Sequence, residues 1–139
     1  MGKLEFTIPG EPHGKGRPRF VRATGRTYTD RATASYENLV RVAFKNAYPD
    51  WVPSVEAVEV FIRTYFPVPQ SWSKTKTARA LQGWVRKTSK PDLDNIEKAV
   101  LDGLNGVTWK DDSQIVAKFS SKAYDEEPRA EVTIIFLEE

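Results

Sequence analysis

The residues of this chain best suited to chemistry lie in one stretch, SKPDLDNIEKAVLDGLNGVTWKDDSQ (Ser89 to Gln114). It holds six carboxylates: Asp92, Asp94, Glu97, Asp102, Asp111 and Asp112. Several have an ordinary structural explanation. Asp92 suits a helix N-cap, Asp94 a first turn where the helix dipole favours acids, and Asp111-Asp112 a polar turn leading into a strand. Asp94 and Lys98 also form an i,i+4 pair in the favourable order. Together these residues admit a sharper reading. If the strand after the helix returns beside it, Asp92, Asp94 and Asp112 converge on one point, with the Lys98 ammonium next to them. Such a cluster repels itself, and a hard divalent cation relieves that repulsion. Mg2+ takes oxygen ligands, keeps several waters and completes its sphere with substrate phosphate. Lys98 would stabilise charge developing on a phosphoryl group or orient the attacking water. These are the requirements of a metal-dependent phosphodiesterase.

A nuclease must also neutralise phosphates. Residues 12–31 hold Lys15, Arg17, Arg19, Arg22, Arg26 and Arg31 against one acid, Asp30, and residues 71–90 hold Lys74, Lys76, Arg79, Arg86, Lys87 and Lys90 against none. The GKGRPRF run joins glycine, which permits close backbone approach, to arginine, which binds phosphate bidentately. Its ordinary alternative is a solvated loop. Lys118 and Lys122 share a strand face leading away from Asp112 and would extend the phosphate track, although two lysines on one sheet face are commonly plain surface. Trp51, Trp72, Trp84 and Trp109 are each open to a packing role or to a place in a subunit interface. Trp72 and Trp84, which flank the second basic segment, could also stack on bases.

Composition narrows the alternatives. The 139 residues suit one domain spanning 1–139, with 40% hydrophobic and 29% charged residues and a net charge of +2. Without cysteine there is no disulfide framework and no thiolate metal site. The one histidine, His13, rules out a multi-histidine metal site and is a weak base candidate in its Gly-rich setting. No signal peptide, myristoylation signal or transmembrane-length apolar run is present, so the expectation is a soluble cytoplasmic protein. The PD-(D/E)xK nuclease pattern fails, because no acid stands two residues before any lysine after Asp92. A haloacid-dehalogenase-like DxD would follow a hydrophobic strand, whereas Asp92 follows TSKP.

The elements that must position these residues follow from periodicity. LEFTIPG alternates as a half-buried strand ended by Pro9-Gly10. GEPHGKGRPRFVRATGRTYTD reads as a long loop. Tyr36, Leu39, Val40, Ala43, Phe44 and Ala47 predict a helix over about 31–48, stopped by Pro49. Residues 57–66 are β-branched and aromatic and apolar on both faces, a central strand. A short basic helix follows, capped by Ser71 or Ser73 and closed by Gly83. Leu93, Ile96, Val100 and Leu104 predict a third helix over 92–105. QIVAKFSSKAY and RAEVTIIFLEE predict two strands joined as a C-terminal antiparallel hairpin. The order β-α-β-α-α-β-β predicts an α+β domain with one mixed sheet and helices packed on it.

The run KPDLDNIEKAVLDGLNGVTWKDDSQIV, with a lysine in the following strand, resembles the core motif of the RusA family of Holliday junction resolvases. The resemblance is tight over about residues 90–122 and extends loosely through GEPHGKGRPRF and the tyrosine of GRTYTD. The combination of Asp-x-Asp-Asn-x-x-Lys with Asp-Asp-x-Gln is specific, where a lone DxD is not. It implies a small homodimeric endonuclease that binds four-way DNA junctions and nicks two strands symmetrically with Mg2+ or Mn2+. It implies Asp92, Asp94, Lys98 and Asp112 as the site, with Asp102 and Asp111 also at positions common in the motif. Asn95 and Gln114 become supporting hydrogen-bond partners, and Lys122 a matching basic position. Some members carry a basic residue directly before the first aspartate, where this chain has Pro91, with Lys90 one position earlier. The family is common in phages and prophages, which makes such an origin an expectation. The competing reading from another class is a non-catalytic branched-DNA-binding protein.

Overall fold

The computed structural model describes residues 2–16, 19–28 and 30–138, with the backbone alone for 19–21 and 27–28. In chain order the elements are β1 (Gly2–Pro9), β2 (Arg19–Val21), β3 (Arg26–Tyr28), α1 (Arg31–Ala47), β4 (Ala57–Phe66), α2 (Lys74–Leu81), α3 (Leu93–Leu104), a 3-10 turn (Asp112–Gln114), β5 (Ile115–Tyr124) and β6 (Arg129–Leu137). A mixed four-stranded sheet runs in the order β1-β6-β4-β5, and β2 and β3 form a separate ribbon. The segment read as one long loop therefore contains this hairpin, whose two strands of three residues each are too short to leave a periodic signal.

β4 is central, as its two-sided apolar sequence predicts. It pairs antiparallel with β6 on one side and parallel with β5 on the other. This corrects the expected C-terminal hairpin. β5 and β6 are consecutive, opposite in direction and joined by only Asp125–Pro128, but β4 lies between them. The connection crosses the end of β4, where the Asp125 amide donates to the Phe66 carbonyl at 3.0 Å. A short turn constrains the ends of two strands, not which strand fills the space between them.

One face of the sheet carries the core. Val58, Val60 and Ile62 of β4, Ala130, Val132, Ile134 and Phe136 of β6, and Leu4, Phe6 and Ile8 of β1 meet Tyr36, Val40 and Phe44 of α1 and Val100 and Leu104 of α3. Each such large side chain contributes about 1.5–3 kcal/mol by leaving water. α1 starts at Asp30, whose carboxylate accepts from the Thr33 amide, and ends before Pro49. α1 and α3 cross closely at Gly103, where a Cβ would stand 2.9 Å from the Glu37 carbonyl oxygen and 2.9 Å from the Val40 Cβ. A second cluster, Phe66, Ala80, Ile96 and Tyr124, seats α2, which Ser73 caps. Among the described residues no helix is long and apolar enough to cross a membrane.

Candidate functional site

The chain returns beside α3 as the sequence requires. Gly106 adopts φ 78° just past the helix and its amide donates to the Trp109 carbonyl at 2.8 Å, which turns residues 107–112 back on the helix. The result is a cleft of about 720 Å3 between α3 and the start of β5. Asp94, Asn95, Glu97, Lys98, Leu101 and Asp102 line it from the helix, and Asp112 with Ile115 to Lys118 from the other wall.

Four carboxylates face this cleft, and the structure treats them as two pairs. Asp102 is ion-paired with Lys15, which also stands 3.7 Å from Glu37. Glu97 is ion-paired with Lys118 at 2.7 Å and accepts a hydrogen bond from the Ser120 hydroxyl. Asp94 and Asp112 have no counter-cation among the described residues. Asp112 Oδ1 accepts only from the Trp109 indole N–H, at 2.9 Å, and Trp109 is fully buried. A neutral donor fixed in the core therefore orients the carboxylate without neutralising it. Lys98 is exposed on the helix wall with Asp94 and likewise makes no ion pair among the described residues, so the expected i,i+4 pair with Asp94 is not closed.

Asp92 stands apart. It occupies the N-cap position of α3 without a side-chain cap bond, and its carboxylate is 3.1 Å from the Lys90 ammonium. It does not line the cleft. No three acidic or imidazole side chains among the described residues stand close enough to form a ready-made metal group. The sequence-level convergence of Asp92, Asp94 and Asp112 is therefore not preassembled. The donor chemistry nevertheless suits a hard cation. Asp94 and Asp112 offer only carboxylate oxygens, and Mg2+ commonly uses one or two carboxylates and completes its sphere with water and phosphate.

Asp111 and Gln114 turn out to shape the backbone. Asp111 caps the 3-10 turn, and hydrogen bonds from Ser113, side chain and backbone, hold its carboxyl below the usual range. Gln114 accepts from the Asp111 amide and donates to the carbonyls of Ser54 and Glu56, at 2.9 and 2.8 Å, which moors the turn carrying Asp112. The Asn95 carbonyl accepts from the Lys15 amide at 2.9 Å.

The lysines expected to contact phosphate divide sharply. Lys15 is only 17% exposed. Burial would lower its pKa, but the hydrogen bond and charge of Asp102 and the charge of Glu37 outweigh that and raise it. Lys118 holds Glu97. Lys122 donates to the carbonyls of Ser89 and Pro91, at 2.9 and 3.0 Å, and so fixes the approach to α3. Lys76 lies 3.9 Å over the Trp72 ring, Lys90 pairs with Asp92, and Lys74 is exposed. Arg17 lies outside the described residues, and Arg19 is described by its backbone in β2 alone. His13 Nε2 sits 3.4 Å from the Thr33 hydroxyl and does not line the cleft. Among the charged residues of the cleft, sequence reasoning gave no role to Glu97, and it gave the buried Trp109 a packing or interface role but not its hydrogen bond to Asp112. The signal for Glu97 was its place on α3 one turn after Asp94, on the side of Lys98.

Comparison with known proteins bears on this geometry. A family model described as Endodeoxyribonuclease RusA matches residues 9–135. The chain is also similar to the uncharacterized protein YqaN of Bacillus subtilis (strain 168), 39% identical over 138 residues that cover 96% of each protein.

Proposed function

Since this chain belongs to the RusA endodeoxyribonuclease family, we propose that it cuts four-way DNA junctions by paired, symmetric nicks, as a cytoplasmic homodimer using Mg2+, with Mn2+ able to substitute. The observation that carries this reading is the charge pattern of the cleft. Two of its four acids are neutralised by lysines of the same chain, while Asp94, on the helix wall with Lys98, and Asp112, on the opposite wall, have no counter-cation among the described residues. Those two carboxylates would hold the metal, with Asp92 joining from the start of α3. A divalent ion there supplies charge neutralisation at the scissile phosphate and a more acidic attacking water. Trp109 holds Asp112 in place, Lys98 stabilises charge developing on the phosphate oxygens, and the exposed lysines and arginines of residues 71–90 carry the flanking backbone. Two sites related by a two-fold axis match the two equivalent strands of a junction.

The test is one cleavage series. A labelled four-way junction and its matching linear duplex are incubated with the protein in Mg2+, in Mn2+ and in EDTA. Paired nicks in the junction alone, lost in EDTA, are expected. Tight junction binding without a cut in either metal would favour the competing non-catalytic binding protein. Cutting of the linear duplex at an equal rate would remove the structure specificity.

A further inference from the structure

Beyond the cleft, the largest unexplained feature is the end of α2. Trp84 is 74% exposed, the most exposed aromatic side chain among the described residues. It is not on a loose tail. Gly83 takes φ 87°, its amide donates to the Ala80 carbonyl at 3.0 Å, and the Trp84 amide donates to the Arg79 carbonyl at 2.9 Å. That is a Schellman closure of the helix, which fixes the backbone from which the indole projects. Trp72, the other tryptophan of this segment, is committed elsewhere, edge-on to Tyr124 at 5.3 Å and beneath Lys76.

The segment that carries Trp84 is charged by cations alone. Residues 71–90 contain six lysines and arginines and no acid. Two of the cations are drawn onto aromatic rings, Lys76 on Trp72 and Lys87 on Phe66. Lys74, Arg79 and Arg86 are exposed and ion-paired to no carboxylate among the described residues. From Trp84 the chain runs on through Arg86 to Lys90 and Asp92. On the way Lys122, which lines a hollow beside Gly83 and Val85, grips the Ser89 and Pro91 carbonyls. The aromatic platform is thus tied through a short moored segment to the start of α3.

We infer that Trp84 is a stacking platform for an unpaired base at the branch point of the DNA, with Lys74, Arg79 and Arg86 holding the adjoining phosphates. The charge complementarity selects a polyanion, and a flat exposed indole amid cations is the chemistry that binds unstacked bases without sequence preference. The inference rests on the proposed action on branched DNA and adds how the protein recognises the branch.

The experiment uses a four-way junction carrying 2-aminopurine at the branch point, titrated in EDTA with wild type, Trp84→Ala and Trp84→Phe, beside the fully paired duplex. Wild type and Trp84→Phe are expected to change the 2-aminopurine fluorescence. Trp84→Ala should lose most of that change and bind the junction about five- to a hundredfold more weakly, while matching wild type on duplex. An unaltered fluorescence change and affinity in Trp84→Ala would overturn the inference. So would wild-type junction binding with silent fluorescence, and in that case the proposed function would stand. A wild type that binds no junction would remove both.

Discussion

In the proposed function Asp94 and Asp112 would act through what they lack. A carboxylate already matched by lysine gains little from a metal, whereas one facing a cleft without a cation keeps its lone pairs and its charge for an incoming ion. Asp94→Asn should therefore abolish cleavage and leave junction binding equal or tighter, as one negative charge facing phosphate is gone. Full activity in that variant would exclude Asp94 from the chemistry. Lys98→Ala should lower turnover by about a hundredfold or more at saturating Mg2+. An unchanged rate would assign Lys98 to the helix surface. Trp109→Phe keeps an aromatic ring in the core but deletes the donor to Asp112. It should cost about 1–3 kcal/mol of stability and weaken Mn2+ binding several-fold, read by denaturant unfolding and calorimetry. Unaltered Mn2+ affinity would make the indole bond purely structural.

The elements that carry these side chains are held by specific contacts. Gly103 lets α1 and α3 approach, and Gly103→Ala would press a methyl group against the Glu37 carbonyl and Val40. A loss of about 1–3 kcal/mol is expected on urea unfolding, and a neutral result would mean the helices part easily. Lys15 ties the segment before the β2–β3 ribbon to α3 and α1 through Asp102 and Glu37. Its pKa is raised on folding, so its contribution to stability is complete below the ordinary lysine value and is lost as pH rises through the raised one. Lys15→Met should thus lower the melting temperature at neutral pH, with the gap to wild type narrowing only in strongly alkaline buffer. A gap constant across that range would mean the charge is not what Lys15 contributes.

At the scale of the whole molecule the net charge of +2 hides a strong asymmetry, with acids gathered around α3 and cations over residues 71–90. Junction affinity should accordingly fall steeply with salt, and a flat response would remove that segment from the phosphate contacts. The element order apart from the β2–β3 ribbon, the central place of β4, the bounds of α1 to within a residue and the acid-rich α3 were legible in the sequence. Apolar periodicity, caps and Gly/Pro punctuation act over a few residues and leave their mark locally. The pairing of β5 with β4 instead of β6 was not legible, because strand partners are chosen by which apolar faces a sheet can bury together. Nor was the fate of the charges. Sequence shows six acids between Pro91 and Gln114 and lysines along β5, but whether a lysine meets phosphate or carboxylate depends on what lies across the cleft. Tertiary structure alone decided that Lys15 and Lys118 would silence Asp102 and Glu97, that a buried indole would aim Asp112, and that Asp94 and Asp112 would meet no cation among the described residues. A charge on this chain finds its partner by distance through space, and only the folded molecule sets that distance.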